Sequence, residues 1–376
     1  MGIGKASEAM TFAAADVLTG FVDALIVTKH ASLPHRERVT VIEAGHPIPN
    51  SRSLAAGQAT LDFVSQLNED DLLICLISGG GSALTVAPRM WAGLEDIQML
   101  TSRLLDSGAT IDEINTVRRR LDWVKGGELA RKTKAKIISL ILSDVIGDRL
   151  EIIASGPTAP DPTTHIDAIA ILRKYNLENG TPPRVIGTIG LQPTFIDDSI
   201  FHTRVQNIIV GNNKIAVNAA KHQAVIEGFE TEILDLQIQS EAREIGKSFA
   251  KKLKEERRKK KHPFCLIAGG ETTVTIKGNG KGGRNQELAL AAVDELSGIE
   301  NILFISLATD GDDGPTDAAG AAVNGESRQR AERPGMFPAD YLSRNDAYNF
   351  FSPLNDLIKC GYTGTNVNDL ILLFGF

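Results

Sequence analysis

The chain has 376 residues, of which 42% are hydrophobic and 23% charged, the proportions of a folded globular protein with two domains of ordinary size. Its 40 Lys and Arg against 47 Asp and Glu give a net charge of −7, which excludes nucleic-acid binding through a strong positive field. The widely spaced Cys75, Cys265 and Cys360 exclude a disulfide framework. No apolar run reaches the ~18 residues of a membrane span, and no signal peptide precedes the first motif. We therefore expect a cytosolic protein without a membrane partner.

Short apolar runs rich in β-branched residues alternate with helical patterns along most of the chain. Strands are predicted at residues 25–28, 39–43, 71–77, 135–142, 205–210, 229–234, 264–268 and 302–308. Helices are predicted at residues 8–18, 53–67, 94–107, 164–175, 213–227 and 241–254. Because the strands are apolar throughout and helices separate them, the pattern predicts α/β architecture with parallel sheets covered on both faces.

Three segments depart from this alternation. Residues 177–204 are richer in Gly, Pro and Thr, which predicts a boundary between a domain at 1–204 and a domain at 205–376. Residues 272–277 alternate polar and apolar, which predicts an antiparallel strand and hence a mixed sheet in the second domain. The run 251–261 holds eight Lys or Arg and is interpreted as the solvated end of a helix rather than as an anion or RNA patch.

A glycine loop follows the strand predicted at 71–77. It consists of Ser78, Gly79, Gly80, Gly81 and Ser82. A strand that ends in three glycines exposes backbone N–H groups at its carboxyl end, where anions bind in open α/β sheets. The sequence therefore favours phosphate or substrate binding over a simple tight turn.

Paired aspartates follow two other predicted strands. Asp144 and Asp148 come after the strand at 135–142, and Asp310 and Asp313 after the strand at 302–308. Carboxylates at strand ends suit a Mg²⁺ site or a base for a hydroxyl group. Asp161 also follows this region, and its two interpretations, as a site residue or as an N-cap, carry equal weight.

Residues 278–283 match G-x-G-x-x-G and precede a predicted helix, so a dinucleotide site has to be considered. The strand predicted before this loop alternates, whereas the first strand of a dinucleotide-binding unit is buried on both faces. The loop also carries Lys281 and Arg284, donors that are better matched to a phosphoryl group. The chain has no G-x-x-x-x-G-K-[ST] motif, so any ATP binds without a Walker loop.

Together these segments resemble the class II glycerate kinases, whose C-terminal portion is called the MOFRL domain. The resemblance is carried in order by GIGKA, VIEAGHPIP, LISGGGSAL, INTVRRRLDWVKGGELA, LSDVIGDRLEIIASGPTAPDPTT, GGETTVTIKGNGKGGRNQELALA, ATDGDDGPTDAAGA and TGTNVNDL. It implies a larger Rossmann-like domain with a parallel sheet, a smaller α/β domain with a mixed sheet, and an active site in the cleft between them. It also implies a cytosolic enzyme that transfers the γ-phosphoryl group of ATP to D-glycerate with a divalent metal, typically at the 2-hydroxyl.

The resemblance assigns roles to individual residues. Lys5 and Arg284 are the expected catalytic residues, which clamp the moving phosphoryl group. The residues expected to bind nucleotide or substrate are Ser78, Gly79, Gly80, Gly81, Ser82, Lys125 and Asn285. The residues expected to hold Mg²⁺ are Asp144, Asp148, Asp310 and Asp313, and one of these aspartates is expected to accept the substrate proton.

Two alternatives stay open at this point. One is a hydroxypyruvate reductase with a nicotinamide cofactor on the glycines of residues 278–283, and the other is a non-catalytic module that binds nucleotide or glycerate. A monomer or a homodimer is expected. The family has a helix and a strand before GIGKA, and this sequence begins inside that strand, so we expect the chain as written to fold but to be less active and more prone to aggregation than a longer form.

Overall fold

The computed structural model describes residues 1–20, 23–191 and 198–376. The chain divides into two compact units, Met1–Val210 and Gly211–Phe376. The domain boundary at 204/205 and the position of the active site relative to the two units stay predictions, as does the expected effect of the short start. None of the described helices is both long and apolar enough to cross a membrane.

The first unit is built on a sheet of six strands within the described residues. The strands are β1 (Gly2–Ile3), β2 (Ala24–Thr28), β3 (Val39–Glu43), β4 (Leu72–Ser78), β5 (Lys136–Leu142) and β6 (Val205–Gly211). Their order is β3-β2-β1-β4-β5-β6, and the pairs from β3 to β5 are parallel. This is the strand order of doubly wound nucleotide-binding sheets, so the Rossmann-like prediction is confirmed.

Helices accompany these strands as the alternation predicts. They are α1 (Ser7–Val17), α2 (Ser51–Ser65), α3 (Gly81–Leu84), α4 (Leu94–Asp106), α5 (Ile111–Arg120), α6 (Glu128–Arg131), α7 (His165–Lys174), α8 (Pro183–Gly190) and α9 (Ile200–Thr203). Capping boxes begin α2 at Asn50, α5 at Thr110 and α7 at Thr164, which satisfy backbone N–H groups that the helix itself leaves without a partner. The core beneath the sheet includes the fully buried Ile3 and Ile77.

Asp161 is neither the N-cap of α7 nor a solvent-exposed site residue. Thr164 provides the cap, and the carboxylate of Asp161 forms ion pairs with Arg119, at 2.9 Å, and with Arg120. It also accepts hydrogen bonds from the backbone and the hydroxyl of Thr163. Asp161 therefore neutralises two buried guanidinium groups of α5, which is a structural role.

The second unit contains a mixed sheet, as predicted. Its strands are β7 (Glu230–Ile238), β8 (Phe264–Gly270), β9 (Ile302–Ala308), β10 (Gly320–Val323), β11 (Leu357–Ile358) and β12 (Asp369–Gly375), in the order β11-β10-β9-β12-β8-β7. β7 and β8 are parallel, whereas β12 is antiparallel to both β8 and β9, and β10 is antiparallel to β9 and β11. The antiparallel character comes from β10, β11 and β12, which the sequence did not predict.

The helices of this unit are α10 (Asn213–Ile226), α11 (Ala242–Lys259), α12 (Arg284–Leu296), α13 (Ser327–Glu332), α14 (Pro338–Ser343) and α15 (Ala347–Phe351). Helix α12 is buried along most of its length and lies at the centre of the core. The basic run continues α11 to Lys259, where Lys252 and Lys259 pair with Glu256. This confirms its interpretation as the end of a solvated helix.

The strand predicted at 272–277 is wrong. These residues, all of them described, form only an isolated bridge between Thr273 and Glu241. The backbone N–H of Thr273 donates to the carbonyl oxygen of Ser240 at 3.1 Å, but beyond it the segment bonds to side chains: Thr275 N–H donates to Glu241 Oε1 at 3.0 Å, and Lys277 N–H donates to Asn345 Oδ1 at 2.7 Å. The alternation of side chains therefore marks an extended segment fixed by side-chain acceptors, which local sequence does not distinguish from a strand.

Candidate active site

Lys5 lies at the topological switch point of the first sheet. β1 pairs with β2 on one side and with β4 on the other, so the order of the strands reverses at β1. Immediately after β1, the backbone N–H of Lys5 donates to the carbonyl oxygen of Gly79 at 2.9 Å. Ligands of open α/β sheets bind outside the carboxyl ends of the strands at such a point, and the structure therefore brings together two segments that the sequence assigned to the site.

The glycine loop needs the absence of side chains at two positions. A Cβ on Gly79 would lie 1.7 Å from Oδ2 of Asp144, so the carboxylate of Asp144 lies directly against the loop backbone. Gly80 has a φ of 85°, in the left-handed region that favours glycine. In the described part of the chain, no hydrogen bond uses the backbone N–H groups of Gly80, Gly81 or Ser82, and these donors suit an anion.

The two serine hydroxyls hold the loop in place. The buried Oγ of Ser78 accepts a hydrogen bond from the backbone N–H of Ala6 at 3.0 Å. The Oγ of Ser82 lies 2.8 Å from Oγ of Ser155, which in turn donates to Oδ1 of Asn115 at 3.0 Å. The hydroxyls thus connect the loop to the turn after β1 and to helix α5.

His46 and Lys5 meet at the glycine loop, a contact that sequence reasoning did not predict for the histidine. A Cβ on Gly80 would lie 3.1 Å from Cδ2 and 3.2 Å from Nε2 of His46, and 3.2 Å from Cγ of Lys5. Burial lowers the pKa of His46 to about 4, and the charges of Lys5, Lys29 and Arg118 act in the same direction. At neutral pH the imidazole is therefore uncharged in a positive field.

Lys125 does not present its ammonium group to a ligand in this structure. The side chain is 2% exposed, and its Nζ forms an ion pair with Asp122 and donates to the carbonyl oxygen of Thr85 at 3.0 Å. Burial lowers the pKa of Lys125, and Asp122 opposes that effect. The lysine predicted to bind nucleotide or substrate is thus part of a buried ion pair.

In the second unit, Arg284 is the first residue of α12 and is held by two acidic residues. Its Nε and Nη2 donate to the two carboxylate oxygens of Asp369 at 2.6 and 2.9 Å, and its Nη1 pairs with Glu271 at 2.9 Å. Although burial lowers the pKa of Arg284, the bonds to Asp369 and the nearby negative charges raise it above its ordinary value. A bidentate carboxylate fixes the plane of a guanidinium group. Neither acidic partner was among the predicted site residues.

Asp313 and Asn285 hold the N-terminus of α12. The two oxygens of Asp313 accept hydrogen bonds from the backbone N–H groups of Asn285, at 3.1 Å, and Gln286, at 2.8 Å. The side chain of Asn285 accepts from Oγ of Ser306 at 2.6 Å. Burial raises the pKa of Asp313 to about 6, against the effect of these backbone donors. Both side chains therefore bond to the protein itself.

The four predicted metal ligands differ in how well they fit Mg²⁺. Among the described residues, no three His, Cys, Asp or Glu side chains form a group that could hold a metal ion. Mg²⁺, however, is usually bound by one or two carboxylates together with substrate phosphates. Asp144, against the glycine loop, and Asp310, at the end of β9, fit that requirement. Asp313 fits it poorly because both of its oxygens already accept backbone N–H groups, and Asp148 stays a predicted ligand.

The glycines of residues 278–283 lack the surroundings of a dinucleotide fingerprint. They do precede α12, but β8 ends at Gly270 and residues 271–283 form no strand. A Cβ on Gly283 would lie 2.3 Å from Cγ of Asp313, so this glycine serves close packing within the unit. A fingerprint requires a buried strand that leads directly into the loop.

A doubly wound sheet with a glycine loop at its switch point defines an α/β protein of the phosphate-binding class. Comparison with known proteins identifies the family. The MOFRL family matches residues 264–369, and a family described as a domain of unknown function (DUF4147) matches residues 1–190. The chain belongs to the glycerate kinase family that combines these two regions, as the resemblance in its motifs indicated.

The relatives cover nearly the whole chain. A D-glycerate 2-kinase from Thermotoga maritima is 43% identical over 99% of this chain and 89% of its own length. A glycerate 2-kinase from Pyrococcus horikoshii is 40% identical over 99% of this chain and 86% of its own. A protein from Agrobacterium vitis, 39% identical over 98% of this chain and 85% of its own, is named "Putative hydroxypyruvate reductase". A crystal structure of glycerate kinase from Thermotoga maritima superposes with a TM-score of 0.91 at 43% identity, and the match covers 100% of this chain and 90% of that one.

Proposed function

We propose that this protein is a glycerate kinase that transfers the γ-phosphoryl group of ATP to the 2-hydroxyl of D-glycerate. The observation that carries the proposal is the position of Lys5 at the switch point, bonded through its backbone to the glycine loop. The relatives named glycerate 2-kinase, at 40% and 43% identity, support the choice of substrate and hydroxyl. The alternative reductase is disfavoured because no strand leads into residues 278–283.

Phosphoryl transfer requires positioning and charge neutralisation rather than covalent chemistry by the protein. The N–H groups of Gly80, Gly81 and Ser82 bind phosphate oxygens, and the ammonium group of Lys5 neutralises their charge. Arg284, fixed in its plane by Asp369, donates to the phosphoryl group as it moves.

Asp144 and Asp310 are the residues we propose for Mg²⁺. An ion held there with ATP would supply neutralisation of the charge that develops on the phosphate oxygens. Asp144 lies against the glycine loop, so it is also the aspartate that we propose to accept the proton of the glycerate hydroxyl. Asp148 and Asp313 stay predicted ligands.

The test is a coupled assay of ADP release with MgATP and D-glycerate, followed by phosphorus NMR of the product. We expect turnover and a resonance of 2-phosphoglycerate. Lys5→Met should lower kcat by about 100-fold or more, whereas Lys134→Met, which removes an exposed lysine of the same unit, should leave it unchanged. Oxidation of NADH by hydroxypyruvate without ADP release would overturn the proposal in favour of the reductase, and ligand binding without turnover would favour the non-catalytic module.

The proposal extends to the state of the protein in the cell. We propose a cytosolic enzyme that is a monomer or a homodimer and binds neither nucleic acid nor membrane. Light scattering after gel filtration tests the oligomeric state, and a mass above that of a dimer would contradict it.

A further inference from the structure

Arg118, in the last turn of α5, is a half-buried cation for which the described residues supply no direct partner. Its Nε is fully buried and has no hydrogen-bond partner, and no hydrogen bond or ion pair joins its guanidinium group to another described residue. Desolvation lowers the pKa of Arg118. Because an unpaired buried charge is unfavourable, this arrangement calls for an explanation.

The two arginines that follow Arg118 in α5 do have an acidic partner within the chain. Arg119 and Arg120 both pair with Asp161. The carboxylate that acts on Arg118 is that of Asp122, but its two oxygens already bond to Nζ of Lys125 and the backbone N–H of Val124. Among the described residues, no acceptor therefore remains that bonds to the guanidinium group of Arg118.

The face of helix α5 that carries Arg118 is connected to the glycine loop. Asn115 is three residues before Arg118, on the same face of the helix. Its Oδ1 accepts from Ser155, whose Oγ lies 2.8 Å from Oγ of Ser82 in the loop. The charge of Arg118 also acts on His46, and His46 and Lys5 both contact Gly80. Arg118 is thus the third basic side chain at one end of the loop.

We propose that Arg118, together with His46 and Lys5, binds the carboxylate of the phosphoryl acceptor, a small 2-hydroxy acid, and so determines that the acceptor is an acid rather than a neutral polyol. The guanidinium fork matches a carboxylate through two parallel N–H donors, and the neutral imidazole of His46 supplies a further donor. The N–H groups of the loop remain for phosphate oxygens. The proposal rests on the proposed function for the identity of the acceptor.

The same oxyanion chemistry could be supplied by a phosphate of the nucleotide, so the experiment measures both substrates. In Arg118→Gln, KM for D-glycerate should rise about 10- to 100-fold while KM for ATP changes less than about twofold, because one charge-assisted bidentate contact is lost. Turnover of glyceramide, which has no carboxylate, should be unaffected. Arg118→Lys keeps the charge but not the fork and should give an intermediate KM. Arg173→Gln, which removes an exposed arginine of the same unit, is the matched control and should match the parent.

Stability and direct binding separate this role from a structural one. Arg118→Gln should unfold at the same temperature as the parent or higher, because an unpaired buried charge is removed, whereas a structural arginine would lower that temperature on replacement. Calorimetric titration with D-glycerate, without nucleotide, should show weaker binding in Arg118→Gln. A larger KM for ATP with an unchanged KM for glycerate would overturn the proposal in favour of a phosphate site. If the parent binds small hydroxy acids through Arg118 but phosphorylates none, the proposed function fails and the carboxylate site stands.

Discussion

Replacing Asp369 with Asn tests how Arg284 is held. The carboxylate is 5% exposed and the arginine 30% exposed, so this ion pair is intermediate between a buried ion pair and a solvent-exposed one. Removing one partner of a buried pair costs about 3–5 kcal/mol, whereas an exposed pair contributes about 0–1 kcal/mol. We therefore expect Asp369→Asn to lower the free energy of unfolding by about 2 kcal/mol, which corresponds to about 4–8 °C in Tm for a unit of this size. Without the bidentate contact the guanidinium group loses its fixed plane, and kcat should fall about 10- to 100-fold.

Glu271 provides the matched control, because it contacts the same guanidinium group but is 46% exposed. Glu271→Gln should cost less than about 1 kcal/mol and change kcat by less than about threefold. Urea unfolding and the coupled ADP-release assay are measured on both variants and the parent. An equal loss of kcat in the two variants, or an unchanged kcat in Asp369→Asn, would refute the conclusion that Asp369 orients the arginine.

Three further predictions concern the same residues. Arg284→Lys keeps the charge but loses the fork, so kcat should fall by about 100-fold or more; an unchanged kcat would remove Arg284 from the chemistry. Asp144→Asn and Asp310→Asn should each raise the Mg²⁺ concentration for half-maximal activity, whereas Asp312→Asn and Asp313→Asn should leave it near the parent value; a shift in Asp313→Asn as large as that in Asp310→Asn would restore Asp313 to the metal site. The pKa of Asp313 rises from 3.8 in the unfolded chain to about 6 in the folded protein, so the folded state binds more protons between these two values. The stability that this group contributes is therefore present below about pH 4 and is lost, by about 2–3 kcal/mol, as the pH rises through 6. Urea unfolding of the parent and of Asp313→Asn at pH 4.5 and 7 measures this loss, and a pH dependence of opposite sign would contradict the prediction.

Five of the six strands of the first sheet and its glycine loop were predictable from sequence because each depends on local pattern, whereas β1, of two residues, was not among the predicted strands. Continuous apolar runs separated by helices determine parallel strands, and the carboxyl ends of parallel strands lie at one edge of the sheet. This is why Lys5 and the loop at residues 78–82 come together as expected. The strands β10, β11 and β12 were missed because two of them are short and the third follows a loop motif, N-V-N-D-L, in which Asp369 is the first residue of the strand.

Polar residues within the motifs were harder to assign, because sequence does not show which polar group each of them faces. Lys125 was predicted to bind a ligand, but Asp122, three residues earlier, bonds to its ammonium group. Asp313 was predicted to bind Mg²⁺, but the start of α12 provides donors for both of its oxygens. Conversely, Arg118 stands beside two arginines that pair with Asp161, and only the fold shows that it has no such partner in the described part of the chain.

Arg284 and His46 lie in different electrostatic surroundings, and the difference supports different roles for the residues around them. In the second unit, Asp369 and Glu271 more than balance the charge of Arg284, so this arginine offers directed donors but little net attraction for an anion. In the first unit, burial lowers the pKa of His46 and the charges of Lys5, Lys29 and Arg118 act in the same direction, which is the field expected where anions bind. Affinity for the charged substrates should therefore come mainly from the first unit, and stabilisation of the transferring phosphoryl group should come from Arg284. The reason is that only directed donors that meet the phosphoryl group during transfer act more strongly on the transition state than on the bound substrate.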